Sequence, residues 1–216
     1  MKIVMKLFLL LFCLGIFSTA TQATTKIWEF ALLLDDKPIG NHQFSVMQSG
    51  DKTIVDINAA FDVKFLFFNA YQYRHSNKEV WENGCLLSIN SSTDDNGTSY
   101  QVSGELINDQ FQVSSKQGSE FHDPCVQSYY YWNPMILKQT RLLNSQTGEY
   151  ETVEVKPRGM QKINIAGREV DAKHYQLITK KFQIDLWYST QGEWLSLRST
   201  TESGNILNYQ LKELVQ

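Results

Sequence analysis

Three places in the chain bring together side chains able to do chemistry. His122-Asp123-Pro124-Cys125 sets an imidazole, a carboxylate and a thiol side by side. A zinc site needs a second ligand pair at zinc spacing, and none follows, so the stretch reads as a loop carrying a disulfide cysteine. Glu79 and Glu82 flank Trp81. In a strand, Glu79 and Trp81 share a face and Glu82 points away. An inward Glu79 would carry a raised pKa, whereas a solvated one, or one paired with an arginine such as Arg74, would be inert. The third place is the run Tyr129, Tyr130, Tyr131 and Trp132, whose rings offer large area with polar tips and suit a ligand pocket, an interface or a sheet core.

Other chemistries lack their patterns. There is no G-x-S-x-G elbow, no H-E-x-x-H and no Gly-rich phosphate loop opening a helix. The histidines His42, His75, His122 and His174 are scattered. No catalytic residue, metal ligand set or cofactor is therefore assigned, and Tyr129 to Trp132 are the candidate ligand-binding residues, as a lid.

The elements that must position them are strands. Turn signals recur along the chain: Asp35-Asp36-Lys37-Pro38-Ile39-Gly40, Ser49-Gly50-Asp51, Glu82-Asn83-Gly84, Asp95-Asn96-Gly97, then Asn108-Asp109, Thr147-Gly148, Ala166-Gly167, Gln191-Gly192 and Ser203-Gly204. Asn-Gly is a strong hairpin signal because both central residues take positive φ. Between turns the pattern has a period of two: Val55, Ile57, Ala59, Phe61 and Val63 share one face, with Asp56, Asn58 and Asp62 opposite. Such alternation predicts an antiparallel meander with one wet face. Phe65 to Phe68 break it as a continuous apolar run, which suits a strand covered on both sides or a barrel corner. Between the two runs of strands lies Phe121 to Leu143, where Tyr131, Met135 and Lys138 fall at helical spacing. Pro134 is tolerated in a first helical turn, so a short helix is expected from about Asn133 to Thr140. The predicted fold is all-β: about ten to twelve antiparallel strands as a meander curled into a half-barrel or barrel, with one short covering helix.

The first 23 residues read as a cleavable signal peptide. Lys2 and Lys6 precede the apolar Leu7–Phe17, and Thr21-Gln22-Ala23 supplies small residues for cleavage near Ala23. The apolar core falls short of the roughly 20 residues a spanning helix needs; an uncleaved anchor is the alternative. Residues 24–216 then form a single β-rich domain in the periplasm. Without Lys2 and Lys6 the chain keeps 18 basic and 23 acidic residues, a net charge of −5. That balance argues against a nucleic-acid partner and against docking on anionic lipid. No other stretch is apolar enough to cross a membrane. Export leaves Cys85 and Cys125, an even pair in an oxidising compartment. Their disulfide would close a loop worth about 4 kcal/mol; two buried thiols are the alternative.

Several short motifs carry a resemblance across the chain from residue 24 onward: Pro38-Ile39-Gly40, Glu79-Val80-Trp81-Glu82-Asn83-Gly84-Cys85-Leu86, Trp132-Asn133-Pro134, Leu142-Leu143-Asn144 through Gly148, and Leu186-Trp187-Tyr188. Together they resemble a family of small exported bacterial proteins catalogued as a domain of unknown function, for which the resemblance implies no catalytic residues. More distantly the arrangement looks like periplasmic lipoprotein carriers, whose open half-barrel holds acyl chains beneath a helical lid; that likeness is one of fold. The expected function is a non-catalytic periplasmic binding or carrier module for an apolar ligand, a lipid or acyl chain. The alternatives are an envelope scaffold with a filled core that meets a protein partner and, further off, a hydrolase acting through Glu79 or His122.

Overall fold

The computed structural model describes residues 24–65, 68–201 and 204–215. The signal segment and part of the Phe65–Phe68 run lie outside them. Eight strands come first: β1 (Thr24–Leu34), β2 (Lys37–Ser49), β3 (Lys52–Phe65), β4 (Phe68–Glu82), β5 (Cys85–Asp95), β6 (Thr98–Ile107), β7 (Gln110–Ser115) and β8 (Gly118–His122). An insert follows, with a 3-10 helix (Pro134–Lys138) and the short strands β9 (Arg141–Leu143) and β10 (Tyr150–Thr152). Five more strands complete the chain: β11 (Glu154–Ile165), β12 (Arg168–Ile178), β13 (Gln183–Ser189), β14 (Trp194–Thr200) and β15 (Ile206–Val215).

Thirteen strands form one antiparallel sheet in the order β11-β12-β13-β14-β15-β1-β2-β3-β4-β5-β6-β7-β8, and β9 and β10 pair separately. Each run is a meander, and β1 and β15 join the two runs. Among the described residues the strands number fifteen rather than the ten to twelve expected. The excess comes partly from β9 and β10, too short to leave an alternating pattern. The two-residue turns take the conformation their residues favour: Asn83 and Gly84 have φ of 52° and 78°, Asn96 and Gly97 of 50° and 87°.

The sheet curls around the insert. Tyr130 stacks near Trp81 of β4, at 4.8 Å between ring centres, while Tyr131 lies 5.4 Å from Trp194 of β14. In the sheet those strands stand apart, with β15, β1, β2 and β3 between them. One peptide segment touches both only if the sheet wraps it. The edges β8 and β11 are not paired with each other, so the sheet is a half-barrel. Gly40 assists the curl: a Cβ there would sit 2.1 Å from the Ala60 carbonyl oxygen and 2.6 Å from Phe61 Cα, so only glycine lets β2 approach β3 this closely.

Backbone bonds seat the insert. Leu86 N–H donates to Val126 O at 2.9 Å, Leu143 N–H to Gln127 O at 2.8 Å, and Val153 N–H to Thr140 O at 2.8 Å. Val126, Tyr130, Ile136, Leu142, Leu143 and Val153 are buried with the inward residues of the sheet in one apolar cluster. Cys85 and Cys125 form a disulfide across 40 residues, fixing the insert's start to the head of β5. The helix is shorter than the periodicity suggests. Asn133 Oδ1 caps it by accepting from Met135 N–H at 3.0 Å, with Pro134 at its first turn. Tyr129 to Trp132 stay outside it because their rings are drawn to different walls.

Candidate functional site

Pairing register lays two rows of side chains across the inner floor. In one, Tyr209, Leu32, Gly40, Phe61, Tyr73 and Asp95 follow one another from β15 to β5; in the next, Phe30, His42, Ala59, His75 and Thr93 do so from β1 to β5. Phe30 and Leu32 are fully buried. His42, Phe61, Tyr73 and Tyr209 face the same way yet are only half-buried. An inward side chain that keeps accessible surface borders a space that water can enter. Gly40 and Ala59 are the two smallest residues of that floor.

The insert supplies the opposite wall. Tyr131 is half-buried, and its carbonyl accepts from Tyr188 O–H at 2.8 Å. Further along, Gln146 Oε1 accepts from Tyr73 O–H at 2.9 Å, Gln146 Nε2 donates to Asp95 Oδ2 at 2.9 Å, and Ser145 Oγ lies 3.4 Å from His75 Nε2. Tyr73, Tyr131 and Tyr209 come from distant strands and from the insert, yet converge closely enough for Tyr209 to add to the raised pKa of both Tyr73 and Tyr131, after desolvation.

The recess is poorly solvated and uncharged. Desolvation is the largest cause of the raised pKa of Tyr73, Tyr131 and Tyr209. It lowers His42 to about 3, with nearby His75 adding to the effect, and lowers His75 to about 4; both imidazoles are neutral at pH 7. His42 stacks on Phe44 at 4.3 Å, and its Nδ1 lies 3.1 Å from the Tyr209 hydroxyl. Its Nε2 is buried with no hydrogen-bond partner.

The four aromatics of the run divide their work. Tyr131 roofs the recess. Tyr129 turns away, its O–H donating to Glu151 Oε2 at 2.5 Å. Tyr130 and Trp132 pack on Trp81 at 4.8 and 6.0 Å and border a groove of about 460 Å³ at the rim, beside the disulfide and the exposed Met135. A larger, open depression of about 580 Å³ lies among Asn41, Gln43, Asn58, Ala60, Arg74 and Asp94, outward-facing side chains of the central strands.

Glu79 is inward and fully buried, neither solvated nor paired with Arg74. Its Oε1 accepts from Asn77 Nδ2 and its Oε2 from Trp81 Nε1, both at 2.9 Å. Burial raises its pKa, and those hydrogen bonds oppose the rise. Asn77 Oδ1 is left buried and unpaired; turning that amide over lets it accept the proton of a neutral Glu79. Arg74 instead binds both oxygens of Asp62 at 2.9 Å. His122 stacks near Tyr150 at 5.0 Å with Nε2 3.7 Å from Glu120, and its neighbour Cys125 is spent in the disulfide. Among the described residues, no three of His, Cys, Asp or Glu gather as a metal site, and no helix is long and apolar enough to cross a membrane.

His42 and Phe61 escape a reading based on motifs. Their signal is parity: His42 shares a face with Phe44 and Val46, and Phe61 with Ile57 and Ala59.

The sequence profile of a domain of unknown function, DUF6134, matches residues 30–212, from the first inward phenylalanine to the last strand. The chain belongs to the DUF6134 family. The family's match takes in β2 to β14 and the insert, with the second half of β1 and most of β15. A crystal structure of a β-barrel-like protein of another domain of unknown function, DUF1849 from Brucella abortus, is similar in fold, with a TM-score of 0.65 and 9% identity over 88% of this chain and 96% of that one. No match was found among curated proteins.

Proposed function

We propose that this DUF6134 protein is an exported, non-catalytic binding module of the periplasm that holds an apolar ligand, a lipid or acyl chain, between the curled sheet and the insert, with Tyr131 as the roof and Tyr130 and Trp132 at the rim. The observation that carries this reading is the half-buried state of four inward residues, His42, Phe61, Tyr73 and Tyr209. An ordinary core buries such rings, and the packed half of this one does. Enclosed sites lined by aromatics with a few convergent polar groups are the usual form of a small-molecule pocket. The rim groove of about 460 Å³ falls within the usual range of about 300–1,000 Å³, and the disulfide holds the insert beside it. Glu79 supports no hydrolysis, since its hydrogen-bond partners Asn77 and Trp81 do not titrate.

The test is native mass spectrometry of protein purified gently from periplasm, with lipid extraction alongside, on the parent and on Ala59→Phe, which fills the floor. A bound apolar species in the parent and none in the folded variant supports the reading. A parent that is empty and takes up no apolar ligand on reconstitution overturns it.

A second reading has its own observation. Phe121 on β8 and Met160 on β11 are exposed, at 59% and 57%, on the two edge strands of the sheet. Unpaired edges with apolar side chains suit strand addition by an envelope protein. Crosslinking from positions 121 and 160 in cells would trap that partner.

A further inference from the structure

The rim groove of about 460 Å³ joins rings to carboxamides. Trp81, Tyr130 and Trp132 meet there with Gln127, Asn133 and Gln139, and the exposed Met135 lines it too. The amides are held by bonds of their own. Gln139 Nε2 donates to the Tyr130 hydroxyl at 3.0 Å and to Met135 O at 3.1 Å, and Gln127 Nε2 to Cys125 Sγ at 3.2 Å. Asn133 Oδ1 accepts from Met135 N–H at 3.0 Å. These bonds fix which end of each amide is left for a ligand: an acceptor oxygen on Gln127 and Gln139, and the NH₂ donor on Asn133. All three side chains are half-buried and keep solvent contact. The walls are fixed as well, by the disulfide and the bond from Leu86 to Val126, so binding has little left to order.

Charge and topology narrow the ligand. Among the described residues that line the groove, Glu82 carries the only charge, so an anion would meet a carboxylate and no cation. A bare alkyl chain in the groove would cover the amides without bonding them, which costs free energy at each. An extended peptide is commonly held by pairing with a free strand edge. Here β2, β3, β4 and β5, which form the sheet wall of the groove, are each paired on both sides. An acetamido sugar meets every condition. Its amide N–H suits a glutamine oxygen, its carbonyl the Asn133 NH₂, its methyl Met135, and the C–H face of its ring an indole. Its hydroxyls can donate to Glu82 in a charge-assisted bond.

We propose that the rim groove binds an uncharged N-acetylated sugar, free or as the head group of a lipid. Its acetamido group lies between the Asn133 NH₂ and a glutamine oxygen, and its ring on Trp132. This rests on the reading above only in taking the groove as open to a ligand.

The test is calorimetric titration of purified, delipidated protein with three probes at millimolar concentration. They are N,N′-diacetylchitobiose, cellobiose, which has hydroxyls in place of the acetamido groups, and the peptide N-acetyl-trialanine amide. Diacetylchitobiose should bind saturably, and cellobiose about tenfold or more weakly. Asn133→Asp keeps the oxygen that caps the helix and exchanges the donor for an acceptor; it should weaken diacetylchitobiose by about tenfold. Trp132→Leu removes the stacking ring and gives the same test if Asn133→Asp does not fold. The proposal is overturned if diacetylchitobiose does not bind, if cellobiose binds equally, or if the peptide binds more tightly. An affinity untouched in both folded variants overturns it too. Octyl N-acetylglucosaminide separates the two sources: binding about tenfold or more tighter than that of free N-acetylglucosamine marks a lipid head group, equal binding marks a free glycan, and both support the site. The apolar-ligand reading stands or falls separately, on the lipid that the protein carries from periplasm.

Discussion

Two regions lie beneath the same insert and are built in opposite ways. Around Trp81 the inner space is full beneath the groove at the rim: Tyr130, Trp81 and Leu86 are buried, and Glu79 has its carboxyl on Asn77 and Trp81. Around Ala59 the floor is low, and His42, Phe61, Tyr73 and Tyr209 are left half-buried. The first region has the disulfide and the backbone bond from Leu86 to Val126 at its edge. The second is bridged by side chains of Ser145 and Gln146. The contrast teaches that the insert is packed as a fixed plug over one half and less tightly over the other, so the two halves should differ in what they contribute to stability.

That division is open to attack from its strongest term downward. Trp81→Ala should remove about 3–5 kcal/mol, as large-to-small changes of buried aromatics do, measured by urea denaturation. If Phe61→Ala, in the recess, costs as much, the two halves are packed alike and the comparison fails. Breaking the disulfide as Cys85→Ser with Cys125→Ser should remove about 4 kcal/mol on the chain-entropy account, moving the urea midpoint without abolishing uptake of an apolar probe once the protein is refolded.

Acidity separates the halves by sign. Glu79 has a folded pKa raised above its usual 4.5, so the unfolded chain ionises first and stability is lost as pH rises from about 4.5 through the raised folded value. His42 and His75 have folded values of about 3 and 4 against 6.5, so their loss comes as pH falls below about 6.5. Glu79→Gln should flatten the upper limb alone, because a turned Asn77 amide can accept from the new NH₂. A denaturation series between pH 4 and 8 that changes equally on both limbs would contradict this assignment. Smallest is Tyr73→Phe, which frees Gln146 of one hydrogen bond and should cost about 1 kcal/mol, with the roof loosened enough to show as faster amide exchange at Ser145 and Gln146.

Much of this architecture was readable from residue order. Asn83-Gly84 and Asn96-Gly97 mark their turns because few residues take positive φ, a property that needs no tertiary context. The inward set Val55, Ile57 and Ala59 is equally local, since a strand has period two. Reading the insert as a helical lid overestimated its helix, because a Pro at the start and apolar residues three and four apart fit a single 3-10 turn as well as a longer helix. The recess was the least legible part. His42 is inward by parity, but its place opposite Ala59 depends on the β2–β3 register, and its approach to Tyr209 depends on the β1–β15 pairing. Glu79 was recognisable as a question; its burial depends on a segment about 50 residues later closing over it.

The seam between β1 and β15 bears on how the molecule assembles. Ile27 pairs with Val215 and Leu34 with Leu207, so the centre of the wall joins residues from opposite ends of the described chain. Contacts of such long sequence separation require most of the loop-closure entropy to be lost before they form, which makes folding slow. Each meander can zip locally as its hairpins are made, but neither gains its central neighbour until the last strand arrives. Until then β1 shows a free edge flanked by Trp28, Phe30 and Leu32, the kind of surface on which nascent chains aggregate. A chaperone that shields that edge would govern the yield of this fold more than any residue of its pocket.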